Sequence, residues 1–205
     1  MKTLRTLLVT LALAACGSSE VQSEAAPRGA RQEVAVFAGG CFWCTEADFE
    51  KMPGVLSAAS GYTGGRIDSP TYKQVSAGGT GHYEAVRIVY DPTKVSFAAL
   101  VRHYFRTVDP TDGGGQFCDR GDSYRTAIFA VGAGQRQQAL AAKAEAERVL
   151  KRKLATPVLA AGRFWFAEDY HQDYYKKNPI RYSYYRSRCG RDDRLKEVWG
   201  AQAGK

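Results

Sequence analysis

Apolar and polar positions along the chain fall into a few short, sharply bounded runs. Glu33-Val34-Ala35-Val36-Phe37-Ala38 is apolar with β-branched content and is broken by Gly39-Gly40, which predicts a strand running into a tight turn. Cys44 to Lys51 carries helix formers and is stopped by Pro53-Gly54. Val55 to Tyr62 predicts a second strand, ended by Gly64-Gly65. His82 to Tyr90 alternates Tyr83, Ala85, Arg87 and Val89 against Glu84, Val86, Ile88 and Tyr90, a third strand closed by Asp91-Pro92. Ser96 is placed to cap a helix over Phe97 to Thr107, whose Leu100, Val101, Tyr104 and Phe105 recur at helical spacing. A Gly-rich loop over 108–122 leads to a fourth strand, Tyr124 to Val131. Strand-helix-strand-strand-helix-strand is the order of a split βαβ, ferredoxin-like core. The expected fold class is therefore α+β, a two-layer sandwich. To it are added a long Ala/Gln/Lys/Glu helix, about Gln135 to Lys153, and an irregular, aromatic C-terminal tail. No internal repeat is visible, and residues 33–205 read as one domain.

The stretch before that domain has a different character. Lys2 and Arg5 open a short basic start, and Leu7 to Leu13 is an apolar run too short to span a bilayer. Residues 1–15 are expected to be a signal peptide. Leu13-Ala14-Ala15-Cys16-Gly17 resembles the lipobox of bacterial lipoproteins, in which the cysteine is acylated and becomes the new N-terminus. The alternative is plain secretion, with cleavage after Ala15 and an unmodified Cys16. Residues 16–32 are polar, small and Pro/Gly-containing, as expected of a lipidated cysteine followed by a flexible tether. The expected location is the periplasmic side of a bacterial membrane, the outer one on the reading that Gly17 and Ser18 follow Cys16.

Composition narrows the function. The 205 residues are 44% hydrophobic, 24% charged and 12% aromatic, which excludes a mostly disordered chain and a polytopic membrane protein. The net charge is +8, and two of those positive charges, Lys2 and Arg5, leave with the leader. Such a balance suits mild attraction to acidic partners, but no basic stripe interleaved with aromatics points to nucleic acid. Five cysteines are too few for a disulfide-stapled mini-fold and enough for redox or metal chemistry.

The most informative segment is Gly39-Gly40-Cys41-Phe42-Trp43-Cys44. A cysteine after a double glycine, where a strand ends and a helix begins, has a physical logic. The glycines permit the tight turn and close approach of a substrate. Backbone amides and the helix dipole favour the thiolate and are expected to lower the Cys41 pKa. Phe42 and Trp43 supply an apolar wall. The competing reading is a buried, inert cysteine in an aromatic core corner.

GCFWCTEADFEKMPGV is similar to the signature of A-type peptide methionine sulfoxide reductases. The resemblance continues through GYTGG at 61–65, PTYKQV at 70–75, GHYEAVRIVYDP at 81–92, QFCDRGDSYRTAIF at 116–129 and AEDYHQDYYKKNP at 167–179, and covers essentially all of residues 33–199. It implies an activity: reduction of S-epimer methionine sulfoxide, free or in proteins, to methionine, as repair of oxidised proteins. It implies catalytic roles for Cys41 as the attacking thiolate and Glu84 as the acid that protonates the sulfoxide oxygen. Tyr72 and Tyr124 would be donors to that oxygen, and Asp119 an acidic residue near the polar end of the substrate. Phe42 and Trp43 would accept the substrate methyl, and His171 would be structural or at most a rim contact.

Attack leaves Cys41 as a sulfenic acid that a second thiol resolves to a disulfide. Cys189, in the stretch where resolving cysteines of the family usually lie, comes first. Cys44 comes second, at a position where many relatives carry glycine, and Cys118 third, as a structural residue. No metal or prosthetic cofactor is implied, only an external thioredoxin-like reductant. The expected partners are oxidised proteins or peptides, that donor and the membrane, but not nucleic acid, with the chain a monomer. Three rivals remain: a thiol-disulfide oxidoreductase using Cys41 and Cys44, a zinc site from Cys41, Cys44, Cys118 and Cys189, and a peptide-binding lipoprotein without catalysis. The first would need a different strand order, and the second shows one close cysteine pair where structural zinc usually shows two.

Overall fold

Alternation along the third predicted strand sends Glu84, Val86, Ile88 and Tyr90 to one face, and the position of that strand decides how deeply they are buried. In the computed structural model, which describes residues 31–204, the elements run β1 (Glu33–Gly39), α1 (Phe42–Glu50), β2 (Val55–Thr63), α2 (Tyr72–Ser76), β3 (Tyr83–Tyr90), α3 (Phe97–Arg106), β4 (Gly115–Gln116), β5 (Asp119–Arg120), β6 (Thr126–Ala130), α4 (Gly132–Leu150), β7 (Val158–Ala160), β8 (Trp165–Phe166), α5 (Tyr174–Lys177), α6 (Pro179–Arg188) and α7 (Arg191–Trp199). The main sheet has the order β7-β6-β1-β3-β2-β8, and β4 with β5 forms a separate small hairpin. Its four central strands, β6-β1-β3-β2, are antiparallel throughout, with Phe37 opposite both Val86 of β3 and Ile128 of β6. That is the split βαβ core expected from the sequence. It also disposes of a thioredoxin-type strand order.

The pleat divides the apolar residues between two faces. Ala35, Phe37, Val86, Ile88 and Tyr90 join the main core with α1 and α3, while Val36, Ala38, Tyr83, Ala85 and Phe129 form a smaller cluster on the other face. Phe37 stacks on Phe49 of α1 at 5.2 Å and on Tyr104 of α3 at 5.0 Å. Burying a side chain of that size contributes about 1.5–3 kcal/mol. Tyr104 further donates to the Ala38 carbonyl at 2.7 Å, tying α3 to the end of β1 just before the turn that carries Cys41. Ser96 caps α3 through the Ala99 amide, as its position predicts.

Three expectations change. Helix α1 begins at Phe42, two residues before the predicted Cys44, because Gly40 at φ +81° turns the chain so that Cys41 takes the N-cap place. Helix α4 spans Gly132–Leu150 instead of Gln135 to Lys153, and Lys151 in the left-handed region ends it. The C-terminal tail carries the short strands β7 and β8 and is otherwise irregular only as far as Asp173. Beyond it lie α5, α6 and α7, with Pro179 at the first turn of α6 and Gly190, at φ +66°, making the turn into α7. The aromatic content hides a helical face there: Tyr182, Tyr185 and Cys189 follow one another at i, i+3 and i+7.

The predicted leader, Cys16 and the tether as far as residue 30 lie outside the described residues. Among the described residues, no helix is long and apolar enough to cross a membrane.

Candidate active site

The turn from β1 into α1 leaves no room for side chains at its glycines. A Cβ on Gly40 would lie 2.6 Å from the Gln116 Cβ, and one on Gly39 would lie 2.8 Å from the Thr45 hydroxyl. Cys41 is thereby set against the sheet end, 6% exposed, with its carbonyl accepting from the Cys44 and Thr45 amides as the helix starts. The first amides of a helix have no partner within it. Here the Phe42 N–H donates to Glu84 Oε2 at 3.0 Å, so the strand carboxyl is clamped to the helix start beside Cys41.

Glu84 is the burial that the alternation of β3 implies. It is 2% exposed and lies on the helix-covered face of the sheet. Burial pushes its carboxyl up to about 8; the Phe42 amide opposes this, the charges of Asp119 and Cys44 add to it, and the Tyr124 hydroxyl opposes it in turn. A carboxyl in that range is mostly protonated at neutral pH and can give a proton. The Tyr124 hydroxyl faces both the Tyr72 hydroxyl and the Glu84 carboxyl and favours the charged form of each. Tyr72 starts α2 and is held by its own amide, which donates to Glu168 Oε1 at 2.8 Å. The four side chains that the sequence reading singles out, Cys41, Glu84, Tyr72 and Tyr124, thus meet in one place.

An aromatic group stands beside them. Phe42 packs against Tyr62, Tyr72 and His171, with ring centroids 5.9, 6.4 and 5.0 Å away. Trp43 is stacked on Tyr174 at 3.7 Å and meets the edge of Tyr185 at 5.8 Å. His171 does more than fill the rim: its Nδ1 accepts from Trp43 Nε1 at 3.0 Å, which fixes the indole and leaves the buried Nε2 without a partner. Tyr174 and Tyr185 were not singled out in the sequence; the helical spacing of the tail was the available signal.

The four cysteines among the described residues divide into two pairs. Cys41 and Cys44 are free and buried, one helical turn apart, and their thiols influence each other's titration. Burial, together with the hydrogen bond and charge of Cys44 and the charge of Glu84, pushes the Cys41 thiol up. This corrects the expectation of a lowered value: in the closed site the desolvation of a thiolate outweighs the amides of the helix start. Cys44 is lowered to about 7, first by the hydrogen bond from Cys41 and, against its burial, by the guanidinium groups of Arg191 and Arg186. Arg191 is itself buried, donating to the Thr107 carbonyl at 2.8 Å and lying 3.8 Å from Asp48 of α1. Cys118 and Cys189 form a disulfide. Cys189 is therefore not a free thiol on a loose tail, as expected, but ends α6 and ties it to the β4–β5 hairpin. The four cysteines form a bonded pair and a free pair, not the single four-thiolate set that zinc would take. Asp119, next to Cys118, accepts a short hydrogen bond from the Tyr185 hydroxyl, and burial raises its carboxyl.

A buried thiol pair, a protonated carboxyl and two paired phenols beside an aromatic pocket define a thiol-dependent reductase on an α+β sheet. The family model described as peptide methionine sulfoxide reductase matches residues 33–203. Peptide methionine sulfoxide reductase MsrA 2 of Rhizobium meliloti is 54% identical over 86% of this chain and 88% of its own. MsrA 2 of Caulobacter vibrioides is 51% identical over 95% and 97%. Among solved structures, methionine sulfoxide reductase A of Corynebacterium diphtheriae superposes with a TM-score of 0.68 at 37% identity, over 73% of this chain and 76% of that one. Reduced Mxr1 of Saccharomyces cerevisiae gives a TM-score of 0.71 at 32% identity, over 75% and 89%. The chain belongs to the peptide methionine sulfoxide reductase family, and it is an oxidoreductase that returns methionine sulfoxide to methionine.

Proposed function

We propose that the enzyme reduces the S epimer of methionine sulfoxide in oxidised proteins and peptides through Cys41, and passes the oxidation outward through two cysteine pairs. The observation that carries this reading is the arrangement of two free, buried thiols at Cys41 and Cys44, one helical turn apart, beside an already formed Cys118–Cys189 disulfide. In the first step the Cys41 sulfur attacks the sulfoxide sulfur, with the methyl group against Phe42 and Trp43. Glu84 gives its proton to the oxygen, and Tyr72 and Tyr124 donate hydrogen bonds to it as charge develops. The oxygen passes to Cys41 as a sulfenic acid, methionine leaves, and the Cys41 thiol proton replaces the one that Glu84 gave.

Cys44, one helical turn from Cys41 and the more acidic of the two, then attacks the sulfenic sulfur; a Cys41–Cys44 disulfide forms and water leaves. This order places Cys44 ahead of Cys189, the reverse of the sequence expectation. Exchange with the reduced Cys118/Cys189 pair returns Cys41 and Cys44 to thiols and leaves the outer disulfide, with Cys118 at the surface. A thioredoxin-like dithiol donor reduces that outer bond and needs no prosthetic group. Mxr1 of yeast has been solved in complex with Trx2, a partner of that protein.

Export and acylation at Cys16 are part of the same reading, carried by the lipobox-like sequence alone. They would place repair at a membrane surface facing the periplasm, with the catalytic domain on its tether. Dithiothreitol-driven turnover of the separated S and R sulfoxides of acetyl-methionine tests the reaction: the S epimer should turn over and the R epimer should not. Turnover of both, or of R alone, would overturn the assignment.

A further inference from the structure

Beside the outer disulfide stands a carboxyl that a disulfide does not need. Phe117 and Cys118 make the turn between β4 and β5, with Gln116 paired to Asp119 across it and Phe117 at φ +54°. Cys189 arrives from the far side, as the residue that caps the end of α6. Cys118 Sγ lies 3.8 Å from Asp119 Oδ1, and Cys189 Sγ lies 4.0 Å from Asp119 Oδ2. The two sulfurs and a carboxylate oxygen all fall within 4.8 Å of one another, on cysteines whose Cα atoms are 4.9 Å apart. These spacings are close to the edges of a coordination tetrahedron. With zinc–sulfur bonds of about 2.3 Å and zinc–oxygen bonds of about 2.0 Å, two sulfurs lie ~3.8 Å apart and a sulfur and an oxygen ~3.5 Å apart.

We propose that, once the outer disulfide is reduced, Cys118, Cys189 and Asp119 form a zinc site whose fourth position is open to water. Two thiolates and one carboxylate suit a borderline-soft dication. The Tyr185 hydroxyl donates to Asp119 Oδ2, which leaves Oδ1 for the metal and holds the carboxylate in place, as supporting partners of metal ligands do. The Arg191 guanidinium favours the charged form of Asp119 against its burial. Without a cation, that charge opposes ionisation of the two thiols beside it, and a dication removes the conflict. Binding releases the two thiol protons and changes no oxidation state. Cys118 is exposed and gives the ion its way in, whereas the buried Cys41 and Cys44 take no part. Zinc held there keeps both outer sulfurs as thiolates, so the outer pair no longer takes over the Cys41–Cys44 disulfide and turnover stops at that bridge.

This site rests on the proposed relay only for the occasion on which the outer pair is reduced, and its test needs no sulfoxide. Full-length enzyme is reduced with a phosphine, freed of it, and titrated with Zn2+ against a chromophoric chelator. Reduced enzyme should hold one Zn2+ against the chelator, and enzyme with the outer disulfide intact should hold none, although its inner thiols are free. The Cys118→Ser, Cys189→Ser double variant should also hold none. Tyr185→Phe should weaken binding by the roughly 10- to 100-fold typical of a lost supporting partner, and Asp119→Asn by at least as much. Co2+ in place of Zn2+ should give the thiolate charge-transfer band and the visible bands of a tetrahedral ion, in the reduced enzyme alone. Equal retention of Zn2+ by oxidised and reduced enzyme, or retention by the double variant, would overturn the proposal by placing the metal elsewhere. Loss of Zn2+ to the chelator from the reduced wild type, or an affinity unchanged in Asp119→Asn, would overturn it too. If zinc binds in this way while the S-sulfoxide is not reduced, the fault lies in the proposed function; if the relay runs and reduced enzyme holds no zinc, it lies in the metal site alone.

Discussion

Replacing Glu84 with Gln keeps the shape of the side chain and removes its proton. In the structure the carboxyl is pushed up to about 8, so at pH 7 it is about nine-tenths protonated. An ordinary carboxyl, near 4.5, would be about 0.3% protonated. The site thus raises the supply of acid about 300-fold, and loss of a general acid typically costs 10²–10⁴-fold. Single-turnover formation of methionine at pH 7 should slow by that range in Glu84→Gln. The pH profile is more discriminating. In the wild type, loss of the Glu84 proton and gain of the Cys41 thiolate offset each other above about pH 8, so the rate should level off there. In Glu84→Gln nothing offsets the thiolate, so the rate should keep rising about tenfold per pH unit until Cys41 has titrated, and the gap to the wild type should narrow. Stability gives an independent check. A buried carboxyl whose folded value lies above its unfolded one makes the protein lose stability as pH rises from about 4.5 to about 8, on the order of a few kcal/mol. Glu84→Gln should not show that loss in urea titrations at pH 5 and pH 9. An unchanged single-turnover rate, or a gap independent of pH, would refute Glu84 as the acid.

Cys41→Ser should abolish sulfoxide reduction while the thermal melt stays close to that of the wild type, because an alcohol at its normal pKa does not replace the thiol. Arg191→Ala should destabilise by about 3 kcal/mol in denaturant titration, since it leaves Asp48 and the Thr107 carbonyl short of a buried partner; a loss under about 1 kcal/mol would remove Arg191 from its supporting role under α1. Intact-mass measurement of membrane-fractionated protein should find a diacyl or triacyl group at Cys16, and Cys16→Ala should release the enzyme; unmodified protein in the soluble fraction would favour plain secretion.

Much of the site was legible because short-range rules produced it. The double glycine before Cys41 reads as a turn, and Gly40 does sit at φ +81°. The two-residue alternation over 82–90 puts Glu84 on the row of Val86 and Ile88, which is why it is buried. Tyr72 and Tyr124 were found differently. With twelve tyrosines in the chain, no local pattern separates two of them, and only the family resemblance did. What stayed hidden depends on long-range contact. Strands β7 and β8, of three and two residues, are too short to show any period. The pairing of Cys118 with Cys189 spans 71 residues and follows from where α6 lands on the hairpin, which the sequence does not display. The direction of the Cys41 shift was missed for a related reason: the helix start is local, whereas the burial that overrides it, helped by the charge of Glu84 on β3, exists only in the folded protein. Reading the tail as irregular hid Tyr174 and Tyr185, whose helical spacing was masked by an unusually polar, arginine-rich background.

The relay from the inner to the outer cysteine pair is defined by the order in which two disulfides appear. Fully reduced enzyme mixed with one equivalent of S-sulfoxide, quenched over time with an alkylating agent and mapped by peptide mass, follows that order directly. The Cys41–Cys44 bridge should appear first, together with methionine, and should give way to Cys118–Cys189 as Cys41 and Cys44 return to thiols. A Cys41–Cys189 bridge as the first species, or a Cys41–Cys44 bridge that persists while Cys118 and Cys189 stay reduced, would contradict it.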